Sequence, residues 1–146
     1  MYEFEKSLGR ISQQVSRSLG IRLEKKFRSA GIRINGTQWS ILSMLHQSAC
    51  TTQQCIGKSL KMDKVSLTRA VISLEKQGYI LRAPMTDDRR INKIWLSEKG
   101  KSIYSVLAPL AEATLNEAFA GIEKKEVDTL LEILEIIYSN LSDDQL

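Results

Sequence analysis

The residues whose types and spacing best match a chemistry lie between Lys64 and Ser73. Leu67, Val71 and Leu74 recur at steps of four and three, the period of one helix stripe. Turned toward a core, they leave Lys64, Val65, Ser66, Thr68, Arg69 and Ser73 on or beside the outer face. That set offers cations, hydroxyls and a small apolar group, and no acid. A DNA major groove admits a helix, where Arg can bond guanine through two donors and small groups read other base edges. A solvated helix face also carries Lys and Arg. Such a face commonly mixes in acids, however, and the nearest one beyond Asp63 is Glu75.

A second constellation follows at Asp87-Asp88-Arg89-Arg90, a polar tip between two short apolar runs. Arginine on a projecting ribbon can enter a minor groove, where narrow A·T-rich geometry strengthens the negative potential. Asp88 can hold Arg90 in position through a carboxylate-to-guanidinium fork. Alone, the tip reads equally as an ordinary charged turn. After a basic helix it extends the same surface.

Other chemistries find little support. The lone His46 follows an apolar stretch with no acid or nucleophile near it in sequence, so no catalytic residue is assigned. There is no Gly-rich phosphate loop, and no cofactor is expected. Cys50, Cys55 and His46 cannot make an ordinary four-ligand zinc site without carboxylates. The two cysteines are expected to be unpaired thiols, as is usual in a reducing compartment. Lys58 near Cys55 is one local hint of a lowered thiol pKa, and hence of a thiol-based oxidant sensor. No run approaches the roughly 20 apolar residues that span a bilayer, and the acidic, amphipathic N-terminus does not resemble a secretory signal. The expectation is a cytoplasmic protein that does not bind membranes.

The elements that position these groups follow from pattern. Phe4, Leu8, Ile11, Val15, Leu19, Leu23 and Phe27 trace one long amphipathic helix ending near Gly31. Thr37 can cap a second, largely apolar helix containing Trp39, Ile41, Leu42, Met44 and Leu45. Thr51 and Gln54 have capping-box spacing before a short helix with Ile56 and Leu60 on one face. Asp63 caps the basic helix, which runs to about Gln77, and only Lys61-Met62 separates the two, so they must turn sharply. After Gly78, Tyr79–Pro84 and Ile91–Leu96 read as a hairpin. Ser97 caps a helix that Pro109 should kink. Beyond Gly121 comes a last helix with Val127, Leu130, Leu131, Leu134, Ile137 and Leu141.

Charge divides the same way. Residues 1–50 carry eight Lys/Arg against three Asp/Glu, residues 51–101 eleven against five, and residues 102–146 two against nine. A basic body with an acidic end places a polyanion partner at the front and middle.

Residues 51–100 resemble the MarR family of bacterial regulators. The matching stretch is Leu74-Glu75-Lys76-Gln77-Gly78-Tyr79-Ile80-Leu81-Arg82, then Asp88-Arg89-Arg90, then Ile94-Trp95-Leu96-Ser97-Glu98-Lys99-Gly100. The family's Asp-x-Arg wing signature falls on Asp88 and Arg90, ahead of a Leu-Ser-x-x-Gly junction. The resemblance implies a mainly α (α+β) winged helix-turn-helix with a two-stranded wing. N- and C-terminal helices would flank it and close a dimer. It implies one domain over 1–146, with a winged lobe at about 37–97 and a dimerisation lobe at about 1–33 and 98–146. It also implies double-stranded DNA as partner, through a pseudo-palindromic operator. Lys64, Ser66, Thr68 and Arg69 would sit in the major groove, with Arg90 at the minor groove. Val65 and Cys55 depart from the family's usual residues at their positions.

A homodimer also makes sense independently. The last helix is apolar over so much of its circumference that it wants burial on more than one side. Two recognition helices would then meet successive half-sites. Repression relieved by a small aromatic or phenolic anion is implied by the resemblance, with Trp39 and His46 as possible lining. A winged domain used for protein contact alone remains the alternative; it predicts a more neutral face than Lys64 and Arg69 provide.

Overall fold

The computed structural model describes residues 3–47 and 51–142. After a short 3-10 turn at Phe4–Lys6, the elements run α1 (Leu8–Ser29), α2 (Gly36–His46), α3 (Gln53–Leu60), α4 (Lys64–Lys76), β1 (Ile80–Pro84), β2 (Asn92–Leu96), α5 (Glu98–Ala118) and α6 (Lys124–Leu141). The order matches the sequence expectation of four helices, a hairpin and two helices. The two strands pair antiparallel with Ile80 opposite Leu96 and Pro84 opposite Asn92.

Local chemistry sets the boundaries, in places against expectation. The first helix is not continuous from Phe4, because Ser7 adopts an extended backbone and caps α1 by accepting from the Arg10 amide. The cap of α2 is Asn35, not Thr37. Asn35 Oδ1 accepts from the Gln38 amide at 2.8 Å while Gln38 Oε1 accepts from the Asn35 amide at 2.9 Å. Two orphan donors are satisfied reciprocally, which Thr37 has no matching side chain to do. Thr52, rather than Thr51, caps α3 by accepting from the Cys55 amide. The Thr51 carbonyl is used elsewhere: it accepts from the Ile94 amide at 2.7 Å, joining the start of α3 to the wing. Gly31, Gly78 and Gly121 take left-handed backbone (φ 78° to 81°) where three helices end. Helix α5 runs unbroken past Pro109.

One core joins the winged elements. Ile41, Leu42, Ile56, Val71, Leu74, Ile80 and Ile94 are fully buried, with Leu67 and Leu96 nearly so. Phe27 from α1 and Leu107 from α5 complete it, so the winged part is anchored to the flanking helices. In contrast, α6 buries none of its residues. Leu130, Leu131, Ile133, Leu134 and Ile136 are exposed, as are Leu8, Ile11 and Val15 of α1.

The junction from wing to α5 is closely fitted. Ser97 Oγ donates to the Gly78 carbonyl and accepts from the Gly100 amide, while the Ser97 amide donates to the Tyr79 carbonyl. Gly100 lies so near that carbonyl that a Cβ there would stand 1.9 Å from its oxygen. The glycine is required by close approach, which gives the Leu-Ser-x-x-Gly pattern its physical meaning.

Candidate nucleic-acid interface

Helix α4 is held by its inward stripe and by Asp63, whose Oδ1 accepts from the Ser66 amide at 2.8 Å. That bond holds the Asp63 carboxyl below its ordinary pKa, so the cap is charged at neutral pH. A negative charge at the first turn also suits the helix dipole. Leu67, Ala70, Val71 and Leu74 are buried. The outward stripe is Val65, Arg69, Ile72 and Lys76, at steps of four, three and four, all exposed.

The candidate readers fall into three groups. Lys64, Val65, Ser66 and Arg69 are exposed. Thr68 is half-buried, and its Oγ1 accepts from Gln53 Nε2 of α3 at 3.1 Å, leaving its methyl and hydroxyl proton for other contacts. Ser73 stands apart: its Oγ accepts from Gln38 Nε2 at 2.9 Å and from Gln77 Nε2 at 3.3 Å. It fastens α2 to the flank of α4. Ile72 and Lys76 complete the outward stripe although neither stands out as a reader in sequence; the helical period from Val65 and Arg69 points to them.

The wing carries its arginines as expected. Arg90 Nε donates to Asp88 Oδ1 at 3.0 Å and Nη2 to Oδ2 at 3.1 Å, and the Arg90 amide also donates to Oδ1. The Arg90 side chain is nevertheless 90% exposed. It is oriented without being covered. Arg89 is also exposed. At the wing's base Arg82 makes a two-point contact with Glu75, both bonds 3.2 Å, coupling β1 to the last turns of α4. Between helix and wing lies a cleft of about 730 Å³ whose lining includes Lys58, Lys64, Thr68, Arg82 and Arg90. The basic helix and basic wing therefore border one groove.

Trp39 and His46 meet at the boundary between the winged and flanking parts. Both stack on Tyr104 of α5, at centroid distances of 5.2 and 3.8 Å, and Phe27 meets Trp39 edge-on. Trp39 is half-buried and His46 exposed. Cys55 requires a correction: it is disulfide-bonded, so the expected unpaired thiol is not present. It is half-buried against the core. Cys50 lies outside the described residues. Among the described residues no cluster of His, Cys, Asp or Glu could hold a metal ion. No helix of the described residues is long and apolar enough to cross a membrane.

A short helix, a sharp turn, a second helix and a two-stranded ribbon with a basic tip define a winged helix-turn-helix protein. Residues 34–91 match the profile of the MarR family. The chain is 27% identical over 107 residues to the HTH-type transcriptional regulator YybA of Bacillus subtilis (strain 168), covering 73% of this chain and 71% of that protein. It superposes with a TM-score of 0.80 on a mutant of MarR from E. coli complexed with operator DNA, at 25% identity, covering 89% of this chain and 92% of the other. A MarR-family regulator from Rhodococcus sp. RHA1 gives a TM-score of 0.83 at 19% identity, over 94% and 96% of the two chains. The winged segment thus carries the MarR family pattern, and over most of its length the chain is similar to transcription regulators.

Proposed function

We propose that this protein is a sequence-specific regulator that binds double-stranded DNA as a homodimer and represses transcription from a pseudo-palindromic operator. The observation that carries the reading is the shared groove between α4 and the wing, bordered by Lys64 and Thr68 on one side and the Asp88-oriented Arg90 on the other. Along the outer face of α4, Lys64, Val65, Ser66, Thr68 and Arg69 face base edges. Arg90 and Arg89 approach the flanking minor groove, with Asp88 as a positioning residue.

The winged lobe, about 37–97, serves DNA. The dimerisation lobe, about 1–33 and 98–146, serves the second copy. An exposed apolar α6 with no buried residue supports that division. The protein acts in the cytoplasm and carries no enzymatic chemistry. Its effector is a small aromatic or phenolic compound acting where Trp39 and His46 pack on Tyr104, because an aromatic ring entering that stack would alter the contact between α2 and α5.

Selection of bound duplexes from a random pool tests the reading. It should yield two half-sites with twofold symmetry, about one helical turn or a multiple apart. Recovery of no sequence above background would leave protein contact as the better account of the winged surface.

A further inference from the structure

Helix α4 has two flanks, and the wing approaches one of them. Along the other run two adjoining clefts of about 540 Å³ each, which share Arg33 and Ser73 in their linings. Arg28 borders the first, and Arg69 and Lys76 border the second. None of these four cations is ion-paired with a described residue. The one acid in these linings, Glu24, accepts from the Gly36 amide at 3.3 Å.

The position of Arg33 is built in. Beyond Gly31 the chain runs extended, with Ile32 and Ile34 buried and Arg33 between them exposed. Period-two alternation turns the arginine outward. Asn35 follows as the cap of α2, and Gln38, 6% exposed, bonds both Asn35 and Ser73 of α4. The segment bearing Arg33 is therefore fixed against the recognition helix, and less of its freedom remains to be surrendered on binding.

We infer that Arg33 and Lys76, with Arg28 beside them, grip the phosphodiester strand of duplex DNA on the side of α4 opposite the wing. The inference rests on the DNA-binding reading above and extends it to residues outside the helix-plus-wing pair. A helix lying in a major groove about 12 Å wide has a sugar-phosphate strand on either side. The wing side meets one with Lys64 and Arg90. The other strand must pass the flank where these cations run lengthwise, Arg69 and Lys76 being two helical turns apart. A line of separated charges suits a linear polyanion better than a compact anion. Phosphate contacts of this kind fix register without reading sequence.

The test uses the full chain, a duplex obtained by the selection above and a scrambled duplex of equal length. Anisotropy over a salt series gives the slope of log affinity against log salt. Arg33→Ala and Lys76→Ala should each lower that slope by about 0.9 for every phosphate left without its cation, equally on both duplexes, and weaken binding roughly fivefold for each such phosphate near 0.15 M salt. Arg33→Lys should keep the slope. Neutral methylphosphonates placed on the strand away from the wing should weaken wild type, an arm that needs no alanine variant, and should weaken Arg33→Ala less, because Lys76 and Arg28 remain there. Wild-type slopes in both alanine variants, or equal sensitivity of wild type and Arg33→Ala to the neutral linkages, would overturn this inference and leave the DNA reading intact. A wild type that binds neither duplex would remove the DNA reading itself, and this inference with it.

Discussion

The Asp88 carboxylate bonds the Arg90 guanidinium at two points, Nε to Oδ1 and Nη2 to Oδ2, while accepting the Arg90 amide as well. Acid and base two residues apart thus close a small ring at the wing tip. The arginine is aimed outward and still exposed to a partner. Asp-x-Arg is here a positioning device for a cation that solvent surrounds.

The wing should therefore fail in graded fashion. Arg90→Ala is expected to weaken binding on most duplexes, lower the salt slope, and weaken it most where flanking DNA is A·T-rich. Asp88→Ala should give a milder defect of the same kind. The Arg90 side chain and amide hold the Asp88 carboxyl below its ordinary value of 3.8. A depressed pKa means the contact is complete above that value and disappears as pH falls through the lower folded value. Affinity measured across about pH 6–8 should show no step from this pair. A wing-dependent step in that range would contradict the geometry.

The wing-to-α5 junction should be intolerant of size. Gly100→Ala places a methyl group onto the Tyr79 carbonyl, and both partners are backbone that other bonds hold in place. A loss of about 3 kcal/mol or more is expected in denaturant unfolding, since overpacking against fixed backbone has no side chain to yield. Near-wild-type stability would mean that the junction relaxes freely.

Gln38 gives a third test. Gln38→Ala removes the bond to Ser73 and leaves the Asn35 amide without its partner. It should cost roughly 1–3 kcal/mol in unfolding free energy. Ser73→Ala should cost less, because Gln38 keeps its bond to Asn35. The reverse ranking would deny Gln38 its linking role.

The terminal helices predict association. Light scattering at micromolar concentration should report about twice the 16.5 kDa chain mass. Leu130→Glu with Leu134→Glu should lower that mass toward a monomer by setting like charges into the exposed apolar face of α6. A wild-type monomer would contradict the two-half-site arrangement.

Much of this is legible from local pattern. The inward stripe Leu67, Val71 and Leu74, the caps Asp63 and Ser97, and the Asp88–Arg90 pair each depend on neighbours a few residues away. Choices between adjacent candidates are harder. In Asn35-Gly36-Thr37 both outer residues are good caps, and the decision rests on Gln38 lying three residues beyond Asn35. Ser73 reads as a DNA contact because its side of the helix looks free in sequence; Gln38, 35 residues earlier, occupies it. Arg33 carries no local signal, because its relation to Arg69 exists only once α2 packs on α4. Tyr104 likewise joins Trp39 and His46 only through the packing of α5 on α2. The pairing of Cys55 carries no local signature that separates it from a free thiol.

The most direct test of the DNA-binding surface compares Arg69→Ala with Arg90→Ala by anisotropy, on selected and scrambled duplexes across a salt series. Arg69→Ala should cost roughly 1–3 kcal/mol per half-site on the selected duplex and relax preference at particular base pairs, with a much smaller loss on scrambled DNA. Arg90→Ala should weaken both duplexes and flatten the salt dependence. If both variants bind like wild type at every salt concentration, the face formed by α4 and the wing is not the DNA-binding surface.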